Sequence, residues 1–333
     1  MIDLNVRLDS SLNEDEYRYL AHSQGINIDE TFPQCRCFNF KTATREDYDN
    51  IRKFALSLLQ TEEAIQFAIS SLIHRLFNEG YYYLEIPFTP YLHQGNKLTQ
   101  KKILKALLTG LNDALEKCPG IDANIILYCH RDASEEFNTE TTKLALEYRD
   151  ERVVAVGLEG DDKNHPIGEF EKLFARCKRS NYPVVIDLDK HYNSNNSILK
   201  AAQIGAMRIV SPYKLALNTE TFRILLERGV HFEFTPSMDI VNKYWPDFES
   251  FPIKSLWSRG TQAFIAGSSY SILDASLTKE FIHLGKHNSF TREDVNHSLY
   301  ISLQAAFTRS IHERNRIMKK VIADFDYFYN KII

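Results

Sequence analysis

Cysteine is scarce in this chain, with five residues in 333: Cys35, Cys37, Cys118, Cys129 and Cys177. An odd count, without paired metal-binding spacing, excludes a disulfide framework and points to reduced thiols in a cytoplasmic protein. Excess positive charge is also missing. The formal net charge is -4, and no basic tract stands against it, so neither nucleic acid nor an anionic membrane is an expected partner. No apolar run reaches the roughly 18 residues that span a bilayer, and no basic segment followed by an apolar run opens the sequence. Low-complexity tracts, linkers and internal repeats are absent too. What remains, 44% hydrophobic and 25% charged residues, describes a globular chain able to bury a large core.

Eight short β-rich apolar runs recur along it: 2–8, 81–88, 124–130, 152–160, 183–189, 207–211, 230–236 and 263–269. Between them lie amphipathic stretches such as 101–115, 138–149 and 219–229, with apolar residues at three- and four-residue spacing. Eight near-continuous strands alternating with helices predict a single α/β domain over 1–333, a (β/α)8 TIM-type barrel. A doubly wound sheet is the alternative, but no G-x-G-x-x-G turn follows the first strand. Helical runs at 14–22, 45–59 and 61–77 place extra helices between the first two strands. A second surplus starts at Thr291-Arg292-Glu293-Asp294, an expected helix start, with a long helical pattern from Val295 into the 320s.

Three stretches carry a resemblance. Asn5 to Ser10 reads N-V-R-L-D-S, Tyr83 to Leu92 reads Y-L-E-I-P-F-T-P-Y-L, and Val153 to Asp162 reads V-V-A-V-G-L-E-G-D-D. Strand by strand the chain resembles the adenosine deaminase family, zinc-dependent (β/α)8 barrels that hydrolyse the 6-amino group of adenosine. The corresponding family motifs are H-x-H-L-D-G, Y-x-E-x-R-F-x-P-x-L and V-V-G-x-D-L-A-G-D-E. The resemblance implies that the family's four zinc-ligand positions are Asn5, Arg7, Asp187 and Ser268, with Ser269 next in the same motif. Its proton-shuttling glutamate falls on Lys190 and its water-orienting histidine on Ser211.

Zinc takes neutral imidazole or anionic ligands, and of those four positions only Asp187 supplies one. Arg7 keeps its positive charge at any ordinary pH. The resemblance therefore implies a degenerate, catalytically inactive pseudoenzyme with its zinc site lost, no cofactor, and a role in protein interaction as partner of an active paralogue, regulator or structural subunit. One alternative is a sensor holding a purine nucleoside or nucleotide through Asp9, Gly160 and Asp161; another is new chemistry built on Glu85, Asp187, Asp189 and Lys190. Asp9, Ser10 or Ser11 equally suits helix capping, with Ser11 and Glu14 as an S-x-x-E box, and Gly160 suits a backbone requirement. His93, His130 and His191 sit near predicted strand ends but share no metal-binding spacing. In the space that the metal would occupy, Arg7 and Asp187 are expected to meet as an ion pair.

Overall fold

The computed structural model describes residues 1–28, 43–188, 195–212 and 219–332. All eight expected strands are present: β1 (Ile2–Asp3), β2 (Tyr83–Phe88), β3 (Asp122–His130), β4 (Val153–Glu159), β5 (Val184–Asp187), β6 (Arg208–Val210), β7 (His231–Phe234) and β8 (Ala263–Ile265). They form one parallel sheet in sequence order, the α/β TIM-type arrangement. Every residue of β2 and β4 is buried, which is why these strands read as continuous rather than alternating apolar runs.

No β1–β8 ladder forms among the described residues. Side chains bridge the seam instead. Asp3, fully buried, accepts hydrogen bonds at Oδ2 from the Gly267 amide at 3.0 Å and the Tyr270 hydroxyl at 2.6 Å. Burial pushes its carboxyl up to about 6. The Asn5 amide turns locally to Asp3 Oδ1 at 3.2 Å, and the Val6 amide returns to the Glu85 carbonyl of β2 at 3.1 Å. The first strand is thus shorter than the predicted 2–8, and a 3-10 turn at Leu8–Ser10 follows.

Among the described residues three helices separate β1 from β2: α1 (Glu14–Ser23), α2 (Arg45–Leu58) and α3 (Glu62–Asn78). The cap of α1 is Asn13, whose side chain accepts from the Glu16 amide while Glu16 reaches back, so the expected Ser11–Glu14 box is replaced by one two residues later. After β2 the helices are α4 (Gln100–Lys117), α5 (Glu135–Glu147), α6 (Glu171–Arg179), α7 (Asn195–Ile204), α8 (Thr219–Glu227), α9 (Pro236–Val241), α10 (Ile253–Ser258) and α11 (Leu277–Asn288). On α4, Gly110 lies against α3: a Cβ there would stand 2.6 Å from the Gln66 carbonyl oxygen, so only glycine permits this approach.

The expected helix start at Thr291–Asp294 is present, as a capping box between those two residues that opens α12 (Arg292–Ala305). The long C-terminal helix does not continue. It breaks into α13 (Ile311–Ala323) and α14 (Phe325–Ile332). The break at 306–310 has a tertiary cause: the Phe307 amide donates to Glu85 Oε1 at 2.5 Å and the Ala305 carbonyl accepts from Arg208 at 2.7 Å. Among the described residues no helix is long and apolar enough to cross a membrane.

Candidate active site at the barrel mouth

A cavity of about 330 Å³ opens at the C-terminal ends of the strands, at the small end of ligand-sized pockets. Asn5 and Arg7 reach it from the segment after β1, as their two-residue spacing predicts. Helix α2 adds Arg45, Tyr48 and Arg52, spaced three and four residues apart on one face.

Arg7 organises the charges. Its Nη1 lies 2.5 Å from Glu159 Oε2 and its Nη2 lies 2.8 Å from Asp187 Oδ2, so the expected Arg7–Asp187 pair is present and a second carboxylate completes it. Arg52 extends the chain, bonding Asp9 Oδ2 at 2.7 Å and approaching Glu159 at 3.7 Å. The sequence of charges is Asp187, Arg7, Glu159, Arg52, Asp9, alternating throughout. Burial works against the charge on Glu159, but Arg7 and Arg52 outweigh it and hold the carboxyl well below its ordinary range. The same carboxylates keep Arg7 charged against its own burial. Thr89 also donates to Glu159.

Neutral polar groups make up the rest of the lining. Asn5 is 3% exposed; its amide hydrogen-bonds the Glu233 carboxyl, and its Oδ1 has no hydrogen-bond partner among the described residues. Ser268 Oγ is likewise buried without one. Buried polar atoms are almost always paired, so two on one pocket wall mark a place for a hydrogen-bonding guest. Ser211, one residue past β6, donates from Oγ to Asp239 Oδ1 at 2.7 Å. His130, whose burial lowers its pKa, stacks on Tyr91 at 4.9 Å and is mainly neutral at pH 7.

Asp9 does not line the cavity; it anchors Arg52 beneath it. Gly160 and Asp161 do line it. Gly160 has φ +110°, and a Cβ there would press on the Arg131 amide at 3.1 Å and His130 at 3.2 Å. Asp161 closes its own turn, accepting from the Lys163 amide at 2.8 Å. Ser269 is fully buried and accepts from the Leu273 amide at 3.2 Å, away from the cavity. Glu85 points into the barrel interior, onto Arg208. His93 packs in the core against Phe88, with Nδ1 2.9 Å from the Leu59 carbonyl. Cys35, Cys37, Asp189, Lys190 and His191 lie outside the described residues. Sequence reasoning missed Glu159, the α2 stripe and Asp239 as site residues. For Glu159 the available signal was its place at the very end of β4, immediately before Gly160.

The zinc that the family resemblance implies does not fit the donors assembled here. Among the described residues no group of three or more histidine, cysteine or acidic side chains is arranged to hold a metal. Asn5 and Ser268 bring neutral oxygens, and the one carboxylate of the set, Asp187, is bound to a permanent cation.

A model of the family described as adenosine deaminase matches residues 2–324. An adenosine deaminase of Haemophilus ducreyi is 25% identical over 343 residues, covering 100% of this chain and 97% of its own. The fold matches an adenine deaminase from Arthrobacter aurescens, with TM-score 0.84, 16% identity and coverage of 97% of this chain and 98% of that one. It also matches an N6-methyl-AMP deaminase from Arabidopsis thaliana, with TM-score 0.83, 16% identity and coverage of 98% and 96%.

These findings overturn the expectation of a catalytically inactive pseudoenzyme acting through protein interaction. With it fall the zinc site lost together with its chemistry, and the non-catalytic nucleoside sensor. Full-length relatives carry the name of an enzyme. The physical reason for the error is that exchanged ligands identify only the residues that no longer serve. They leave open what Glu159, His130 and the Ser211–Asp239 pair do in the same mouth. Matched over nearly its whole length, this chain belongs to the adenosine deaminase family.

Proposed function

We propose that this chain is a cytoplasmic hydrolytic enzyme that removes the exocyclic amine of a purine-type compound bound at the barrel mouth. The observation that carries this reading is the buried, unpartnered Oδ1 of Asn5 on the cavity wall. An acceptor left unpaired in the interior costs about 1–3 kcal/mol, and an amino group of the substrate recovers that by donating to it. Ser268 Oγ supplies a second contact, and the Gly160 backbone and Asp161 lie along the same wall. Arg7 and Arg52 are already held by carboxylates, which favours an uncharged base or nucleoside over a nucleotide. Cys118, Cys129 and Cys177, free buried thiols, suit a reducing compartment.

The relatives' names supply the substrate panel: adenosine, adenine and N6-methyl-AMP. Purified protein is expected to release ammonia, or methylamine from the last, from at least one of them, with adenosine or adenine ahead of the nucleotide. Asn5→Ala should lower kcat/KM about tenfold, the equivalent of about 1.4 kcal/mol, without unfolding the chain. No amine released from any of the three by folded wild-type protein would overturn the proposal.

A further inference from the structure

Ser211 holds a backbone conformation that few L-residues adopt, with φ +50°. Such a conformation is strained and persists only where its surroundings enforce it. Here the Ser211 amide is pinned to the Glu233 carbonyl at 2.8 Å. The result is a hydroxyl that belongs to the cavity lining and yet donates inward, at 2.7 Å, to a carboxylate with no solvent exposure of its own. Asp239 is fixed in turn, because the Thr235 amide donates to its second oxygen at 3.3 Å. Neighbouring Ser237 is engaged elsewhere, with Glu280 of α11, so it does not compete for Asp239.

We infer that Ser211 and Asp239 form the proton-handling pair of the mouth, Ser211 taking a proton from the attacking water as it passes its own to Asp239. This rests on the hydrolytic reading above. The water oxygen forms a bond to the ring carbon that bears the amine as the π pair of that carbon moves onto the adjacent ring nitrogen. The pair then re-forms the double bond as the exocyclic carbon–nitrogen bond breaks, Asp239 returns the proton through Ser211 to the leaving ammonia, and the hydroxyl proton shifts to the ring nitrogen to give the oxo form. Atoms balance as amine plus water giving the oxo product plus ammonia, with no change of oxidation state.

The buried carboxyl suits the task. Burial pushes Asp239 up to about 7, while the Ser211 hydrogen bond acts in the opposite sense. A base so placed is half ionised near neutral pH, where a general acid–base group works best. The titratable groups that face it are Asp187 from the end of β5 and Glu280 from α11, whose own carboxyl burial pushes well above the ordinary range.

Two readouts test the pair. Carbon-13 NMR of aspartate-labelled protein, with the signal assigned through Asp239→Asn, is expected to show a midpoint near pH 7 that rises in Ser211→Ala. With the substrate identified from the panel, Ser211→Ala should lose about 100-fold or more in kcat with little change in KM. The acid limb of its kcat profile should move to higher pH, and Ser211→Thr should restore part of the rate. Asp239 titrating in the ordinary carboxylate range, or unmoved by Ser211→Ala, overturns the inference whether or not turnover is found. Wild-type turnover with an unchanged Ser211→Ala rate and profile overturns it while leaving the hydrolytic reading standing. Wild-type protein that releases no amine counts against the reading alone, and the NMR result then decides the pair.

Discussion

Two arginines, the half-buried Arg7 and the fully buried Arg208, are each gripped by a pair of carboxylates, and they face opposite fates. Arg7 sits at the mouth between Glu159 and Asp187, with Arg52 close enough to share Glu159. Arg208, at the start of β6, lies wholly inside the barrel, 2.7 Å from Glu85 and 3.5 Å from Glu233. Its remaining contacts are the carbonyls of Leu4 and Ala305 and the ring of Phe307, 4.4 Å away. At the mouth two cations bracket one glutamate, and attraction defeats burial. In the interior one cation serves two glutamates, and burial wins at Glu233, raising its carboxyl to about 8. Arrays of similar composition thus yield a fully charged pocket wall at one level and a partly neutral core network at the other.

The comparison is broken most sharply by removing each arginine. Arg208→Met leaves Glu85 buried without its cation and is expected to cost about 3–5 kcal/mol in denaturant unfolding. Arg7→Met should cost less, about 2 kcal/mol, because the side chain of Asp187 is 26% exposed and recovers solvation. Combining Arg7→Met with Asp187→Asn should restore part of that loss, whereas strictly additive energies would reduce the pair to coincidental neighbours. An Arg7→Met penalty equal to or larger than that of Arg208→Met would contradict the difference in depth.

Acidity gives the smaller, sharper test, because the two glutamates carry opposite signs. Glu233 has a folded pKa raised above the unfolded value of about 4.3, so its contribution is fully present below that value and is lost as pH climbs toward 8. Asp3, raised to about 6, and Asp239, raised to about 7, act in the same direction. Glu159 is depressed, so its contribution is present above the ordinary carboxylate range and is lost as pH falls through its folded pKa. Unfolding free energy is expected to fall by about 4 kcal/mol between pH 6 and pH 9, more than half of it from Glu233, so the fall should be clearly smaller in Glu233→Gln. Glu159→Gln should instead flatten the loss on the acid side. A wild-type curve that is level from pH 6 to 9 would remove the neutral glutamate from the interior.

Most of the barrel was legible because buried parallel strands need apolar residues on both faces, and all eight runs carried them. Thr291 and Asp294 were legible for a local reason, since a capping box lies within four residues. The Arg7–Asp187 pair was also within reach, because the family resemblance puts both residues at positions that converge on one point, where a fixed guanidinium pairs with a carboxylate. What escaped was set by distant partners. Nothing near Ala305 foretells a helix break there, because the groups that hold the break are Glu85 and Arg208, far away in sequence. Glu159 reaches Arg7 across 152 positions. The expectation of an inactive pseudoenzyme failed for a different reason: counting lost ligands weighs only the residues that were replaced.

The account turns on the mouth as the place where an amine is held, and a crystal structure with a non-hydrolysable adenosine analogue tests this most directly. The expected result is one ligand in the cavity, its amino group within about 3.2 Å of Asn5 Oδ1 and its ring beside Ser211, with the Arg7 contacts to Glu159 and Asp187 intact. An analogue bound outside the cavity, or inside it with the amino group turned away from Asn5, would contradict the account.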